Sequence, residues 1–150
     1  MRLVRISWLT VLLSGLLLGA NTDPVIGRWK LNWEKSQSEG AAPKNVIRTY
    51  AKSRDGFRVS EVWTGQDGNT EKFVYTAKYD GQEYRISSEG GATIMFTRHH
   101  ASVARGVSKN GTRTFKQTVS QDGKTLIIET MRTDSAGTER KDVQVYERIK

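Results

Sequence analysis

The sequence predicts an all-β protein: a single antiparallel up-and-down β-barrel of about eight to ten strands. Three observations predict it. Turn-forming residues recur roughly every dozen positions. The segments between them alternate apolar and polar with period two, and no segment beyond residue 20 carries a helical stripe. Such a meander can close on itself and remove its exposed edges without a crossover connection.

Residues 1–20 read as an export signal. Arg2 and Arg5 give a positive start, a mostly apolar stretch runs from Ile6 to Leu18, and Gly19-Ala20 offers small residues for cleavage before Asn21. The run is shorter than the ~20 apolar residues that a bilayer core demands, and Ser7, Thr10, Ser14 and Gly15 interrupt it. The expectation is cleavage near Ala20. That leaves residues 21–150 as one barrel domain, soluble in a periplasm or secreted, with no membrane span once the signal is removed.

Turn signals then follow in order: Asp55-Gly56, Asp67-Gly68-Asn69, Asp80-Gly81, Gly90-Gly91, Asn110-Gly111, Asp122-Gly123 and Ser135-Ala136-Gly137. Each supplies residues that tolerate positive φ, as tight hairpins require. In the one long interval a further turn is placed at His99-His100-Ala101. The strands expected between these turns are 26–33, 45–53, 57–65, 71–79, 82–87, 92–98, 102–109, 112–120, 124–133 and 139–148.

Alternation assigns faces. Trp29, Leu31 and Trp33 share one side of the first strand, with Arg28, Lys30 and Asn32 on the other. Phe57, Val59, Glu61 and Trp63 alternate with Arg58, Ser60, Val62 and Thr64. Phe73, Tyr75, Ala77 and Tyr79 oppose Lys72, Val74, Thr76 and Lys78. Apolar-in and polar-out is the reverse of a membrane barrel.

Composition narrows function. With zero Cys, disulfides, thiolate catalysis and Cys-based metal sites are ruled out. The formal charge of +8 becomes +6 when Arg2 and Arg5 leave with the signal, and the basic residues are scattered. That specifies no partner, and no nucleic-acid motif is present. No cofactor is expected. His99-His100 has no acidic cluster nearby to complete a metal set, so both read as surface residues. There is no nucleophile elbow, P-loop or zinc-protease motif, and no catalytic residues are assigned. Glu61 is the exception to watch, since it falls on an apolar face. It is expected either outside, by a bulge, or inside with a partner such as Arg105.

The opening Gly27-Arg28-Trp29 resembles the G-x-W motif that begins the first strand of lipocalins. Gly27-x-Trp29-Lys30-Leu31 is similar to the start of fatty-acid-binding proteins, as Val145-Tyr146-Glu147-Arg148 is to their last strand and Asp122-Gly123-Lys124-Thr125-Leu126 to the hairpin before it. The chain also resembles small exported bacterial proteins that open with G-x-W-K-L-N and a K-S pair, here Lys35-Ser36. The resemblance implies a lipocalin-like barrel, with Gly27 and Trp29 structural at the closed end and Arg148 lying across the indole. It also has departures. The connection from Glu34 to Lys44 is too short for a helical lid. The carboxylate-gripping R-x-Y reads Gln144-Val145-Tyr146 here, and Thr118 and Ser120 stand where a second Arg is expected. A neutral or weakly polar ligand, or one held by another Arg, is therefore implied.

Trp63, Tyr75, Tyr79, Tyr84 and Phe96 should face inward, either filling the barrel or lining a cavity. Tyr146, with Gln144 beside it, should either form a satisfied polar pair inside it or donate a hydrogen bond to the ligand. Three functions follow. One is a monomeric carrier of a small hydrophobic ligand. A second is a protein-interaction module, such as an inhibitor of an exported enzyme, with a filled barrel and the segment from Asn21 to Val25 as a reaching arm. The third is an enzyme that gathers Glu61, Arg105 and His99 into one pocket.

Overall fold

The computed structural model describes residues 22–87, 91–109, 112–134 and 136–150; the expected signal at 1–20, and the tips of three expected turns, lie outside them. The described residues contain no helix. Ten strands follow in order: β1 Gly27–Leu31, β2 Asn45–Lys52, β3 Phe57–Thr64, β4 Thr70–Ala77, β5 Asp80–Arg85, β6 Thr93–His100, β7 Val103–Lys109, β8 Thr112–Val119, β9 Thr125–Thr133 and β10 Glu139–Ile149. All pairings are antiparallel, and the sheet runs β4-β3-β2-β1-β10-β9-β8-β7-β6-β5. The first and last strands are thus neighbours, with Trp29 opposite Arg148 and Leu31 opposite Tyr146. This is an antiparallel barrel without a helical lid.

Two details differ from the sequence reading. Asp80-Gly81 is not a turn. It opens β5 at an irregularity in the pairing with β6, while Lys78 and Tyr79 make the connection. The short link does not produce a hairpin, because β4 and β5 diverge and form the two edges of the sheet. The segment just after β5 meets β4 at Val74, whose carbonyl accepts from both the N–H and the Oγ of Ser87 at 2.9 and 2.7 Å. The other difference is the turn after β6, which falls at Ala101-Ser102. A pairing irregularity between Arg98 and His100 lets the strand run on through both histidines.

The core occupies one end. Trp29, Tyr50, Phe57, Phe96, Leu126 and Tyr146 are its largest fully buried side chains, and Phe57 and Phe96 meet edge to face at 5.0 Å. The segment before β1 closes this end. Val25 is buried, and its carbonyl accepts the Trp29 indole N–H at 2.8 Å. Arg148 lies across the indole with Cζ 4.0 Å from the ring centre. Its guanidinium also donates to the carbonyls of Pro24, Ile26 and Gly123. Asp23 accepts from Arg98 and from the Tyr79 hydroxyl. The described part of the expected reaching arm is therefore pinned as a plug. Gly27 has φ of +142° and faces the Arg148 guanidinium so closely that a Cβ would collide with it, which accounts for the glycine two residues before the tryptophan.

Candidate ligand cavity

The inner faces of β2 and β3 build the polar floor of the barrel's cavity. On β2, Val46, Arg48 and Tyr50 point inward; on β3, Phe57, Val59, Glu61 and Trp63 do. Continuous register places Arg48 directly opposite Glu61. Glu61 is therefore inside, with no bulge to turn it out. Its partner is Arg48 at 2.6 Å, not Arg105, which stands on the outer surface.

Three tyrosines and two glutamines complete this layer. The Arg48 guanidinium donates to the hydroxyls of Tyr50 and Tyr75, both at 2.8 Å. The Tyr50 hydroxyl in turn donates to the Gln117 side-chain carbonyl. Tyr146 donates toward Glu61 Oε2 at 3.2 Å and Gln144 Oε1 at 3.3 Å. The order of donors fixes the Gln117 amide. Arg48 occupies an acceptor site on the Tyr50 oxygen, so that hydroxyl donates and the glutamine carbonyl must face it. The Gln117 amide nitrogen has no hydrogen-bond partner among the described residues, although the residue is almost fully buried. It lies between the cavity above and a void of about 10 Å³ below.

Burial pushes the phenols of Tyr50, Tyr75 and Tyr146 above their ordinary range. For Tyr146 the neighbouring Glu61 adds to the effect. Burial works against the charge on Arg48, but the surrounding tyrosine oxygens and Glu61 outweigh it and hold the guanidinium above its usual value. The floor thus carries one positive and one negative group that cancel, tied together by neutral phenols.

Above this layer the cavity widens to about 380 Å³. Its walls are Trp63 and Phe73 on one side and Ile94, Phe115 and Ile128 on the other, and Glu71, Arg113 and Arg132 stand at the mouth. Gly106 shapes one wall. A Cβ there would strike both the Phe115 ring and the Met95 carbonyl, so the missing side chain lets the ring lie flat against β7.

The expected site residues separate into three groups. Trp63, Tyr75 and Gln144 line the cavity, and Tyr146 is buried in its floor. Phe96 is buried in the core below, and Tyr79 packs at the plugged end, its ring under Arg98 with Cζ at 3.6 Å. Tyr84 is half-buried against the core opposite Ile94 and does not line the cavity, its hydroxyl donating to Asp80 at 2.7 Å. Arg48 and Gln117 were missed. Val46 and Ile47 are both apolar, so the alternation of β2 alone does not say which face is inner.

Glu61, Arg105 and His99 are not brought together. Arg105 lines an outer depression of about 480 Å³ with Met95, Val107 and Met131, and His99 is exposed at the end of β6. Among the described residues no group of three or more metal-ligating side chains occurs. The outer depression is larger than the cavity, but it lies on the outer face of the sheet, whereas the inner cavity is walled by strands from all around the barrel.

No protein-family model matches the chain, and no curated protein sequence matches it. Among solved structures it is similar to a point mutant of the fluorescent protein UnaG, with a TM-score of 0.57 and 13% identity over 85% of this chain and 98% of that one. Wild-type UnaG gives 0.56 and 14% over 83% and 96%. At such identities the likeness is one of fold.

Proposed function

We propose that this chain is an exported binding protein that carries or sequesters a small hydrophobic ligand in its barrel. The observation that carries this reading is the cavity of about 380 Å³ left above a hydrogen-bonded floor. A barrel built only as a scaffold gains by filling such space with side chains. Here Trp63, Phe73, Ile94 and Phe115 instead surround an apolar space with a few convergent polar groups beneath it. The leader-like stretch at 1–20 supports export to a periplasm or beyond. The test is native mass spectrometry of residues 21–150 recovered from the cell envelope under mild conditions. A co-purifying mass that denaturation releases, and that Trp63→Ala weakens, is expected. A clean apo mass that stays unchanged after incubation with a lipid extract overturns the carrier reading.

A second reading, a protein-interaction module, has one observation in its favour. Met95, Val107, Thr114 and Met131 are direct cross-strand partners in a continuous row on the outer face, and they line the outer depression. A protein partner recovered with the chain, and lost on Met131→Lys, would favour it.

A further inference from the structure

Three of the basic residues that look scattered in the sequence come together at the mouth of the barrel. Arg113 of β8 is the direct cross-strand partner of Arg132 on β9, and Arg132 is the partner of Arg140 on β10. Like charges opposite one another on adjacent strands repel. The fold relieves two of the three: Arg132 pairs with Asp142 at 2.8 Å and Arg140 with Glu39 at 2.7 Å. Arg113 has no ion pair among the described residues, and it lines the cavity together with Arg132. A third acidic residue at the rim, Glu71, belongs to β4, which is far from β8 in the strand order.

The deep end offers an anion nothing comparable. Arg48 is already engaged by Glu61, Tyr50 and Tyr75. A carboxylate brought down to it would lie beside the carboxylate of Glu61, at a cost in a water-poor site. The walls between floor and mouth are mostly aromatic and aliphatic, interrupted by Ser108 and Thr130. Polarity along the axis is therefore ordered: neutral at the floor, mostly apolar in the middle, and at the mouth balanced overall but with Arg113 unpaired among the described residues on the β8 side, across from Glu71 on β4.

We infer that the cavity takes an anionic amphiphile, apolar end inward, with its charged group held at the mouth by Arg113 beside Arg132. This rests on the carrier reading and specifies its ligand class and orientation. A guanidinium fork suits a carboxylate, sulfonate or phosphate equally, since each offers paired oxygens.

The test uses two dyes that share a skeleton, N-phenyl-1-naphthylamine and its 8-sulfonate, with binding to residues 21–150 read by fluorescence. The sulfonate should bind more tightly, displace the neutral dye, and lose its advantage as salt is raised. Arg113→Gln should weaken the sulfonate about fivefold and leave the neutral dye unchanged. Arg58→Gln, which removes an exposed arginine from the outer face of β3, should change neither. Circular dichroism and a thermal melt check that the variants fold, and Arg113→Lys should restore part of the preference. Equal affinity for the two dyes, failure of one to displace the other, or an equal loss of both in Arg113→Gln overturns the inference while the carrier reading stands. Failure of both dyes to bind overturns the two together.

Discussion

Arg48 and Glu61 face each other across the β2–β3 hairpin inside the barrel, Nη1 to Oε2 at 2.6 Å, with both side chains largely shielded from solvent. An ion pair in such a place contributes little net stability, because desolvation offsets the attraction. It does fix what the floor can accept, since each charge is satisfied only while the other is present.

Removing one partner should therefore cost more than removing both. Arg48→Met or Glu61→Leu alone is expected to destabilise by about 3 kcal/mol, through the uncompensated buried charge left behind. The double variant should cost less than either. Chemical denaturation of the four proteins in a double-mutant cycle measures this. Single variants within about 1 kcal/mol of wild type would show that water reaches the pair freely.

All five tyrosines, Tyr50, Tyr75, Tyr79, Tyr84 and Tyr146, are raised above the ordinary phenol value of 10.0. Burial is the leading cause in four. In Tyr84 it is the hydrogen bond to Asp80, which pushes the phenol up to about 12. A group with a raised native pKa keeps its proton in the folded state after the unfolded chain has lost it. Its stabilising contribution is thus complete below pH 10 and is lost as pH rises above that value. Phenolate absorbance during an alkaline titration should stay flat through pH 10, then rise together with the loss of circular dichroism. A gradual rise centred near 10 in a protein that remains folded would refute this.

The plugged end gives a third expectation. Deleting residues 21–25 removes buried Val25, the acceptor for the Trp29 indole, the Pro24 acceptor for Arg148, and the Asp23 partner of Arg98. The melting temperature should fall by several degrees, corresponding to about 2 kcal/mol or more. Arg148→Met should cost about 1–2 kcal/mol and be partly non-additive with the deletion, because both remove the hydrogen bond between Arg148 and the Pro24 carbonyl. A truncated chain as stable as the full one would restore the reading of this segment as a free arm.

Much of this was legible from residues alone. The ten strands fall within a few positions of where turn spacing and alternation place them, because side-chain period and tight-turn chemistry are local properties. The Arg48–Glu61 pair was not legible. Read as a two-residue turn, Asp55-Gly56 sets Arg54 opposite Phe57 and Arg48 opposite Trp63. The link in the structure is instead four residues long, sets Lys52 opposite Phe57 and brings Arg48 to Glu61. The β4–β5 connection misled. A two-residue link reads as a hairpin, and only the curvature of the whole sheet shows that the two strands part there.

The sequence by itself determined the strands, the turns and which residues alternate together, since each depends on neighbours within a dozen positions. The tertiary structure decided which strands lie side by side across the closure, which end is plugged, and which end is left open with arginines at its rim. Pairing β1 with β10 joins residues more than a hundred positions apart, and no local pattern encodes that contact. It arises because a twisted sheet of ten strands lowers its free energy by covering its edges and burying one face.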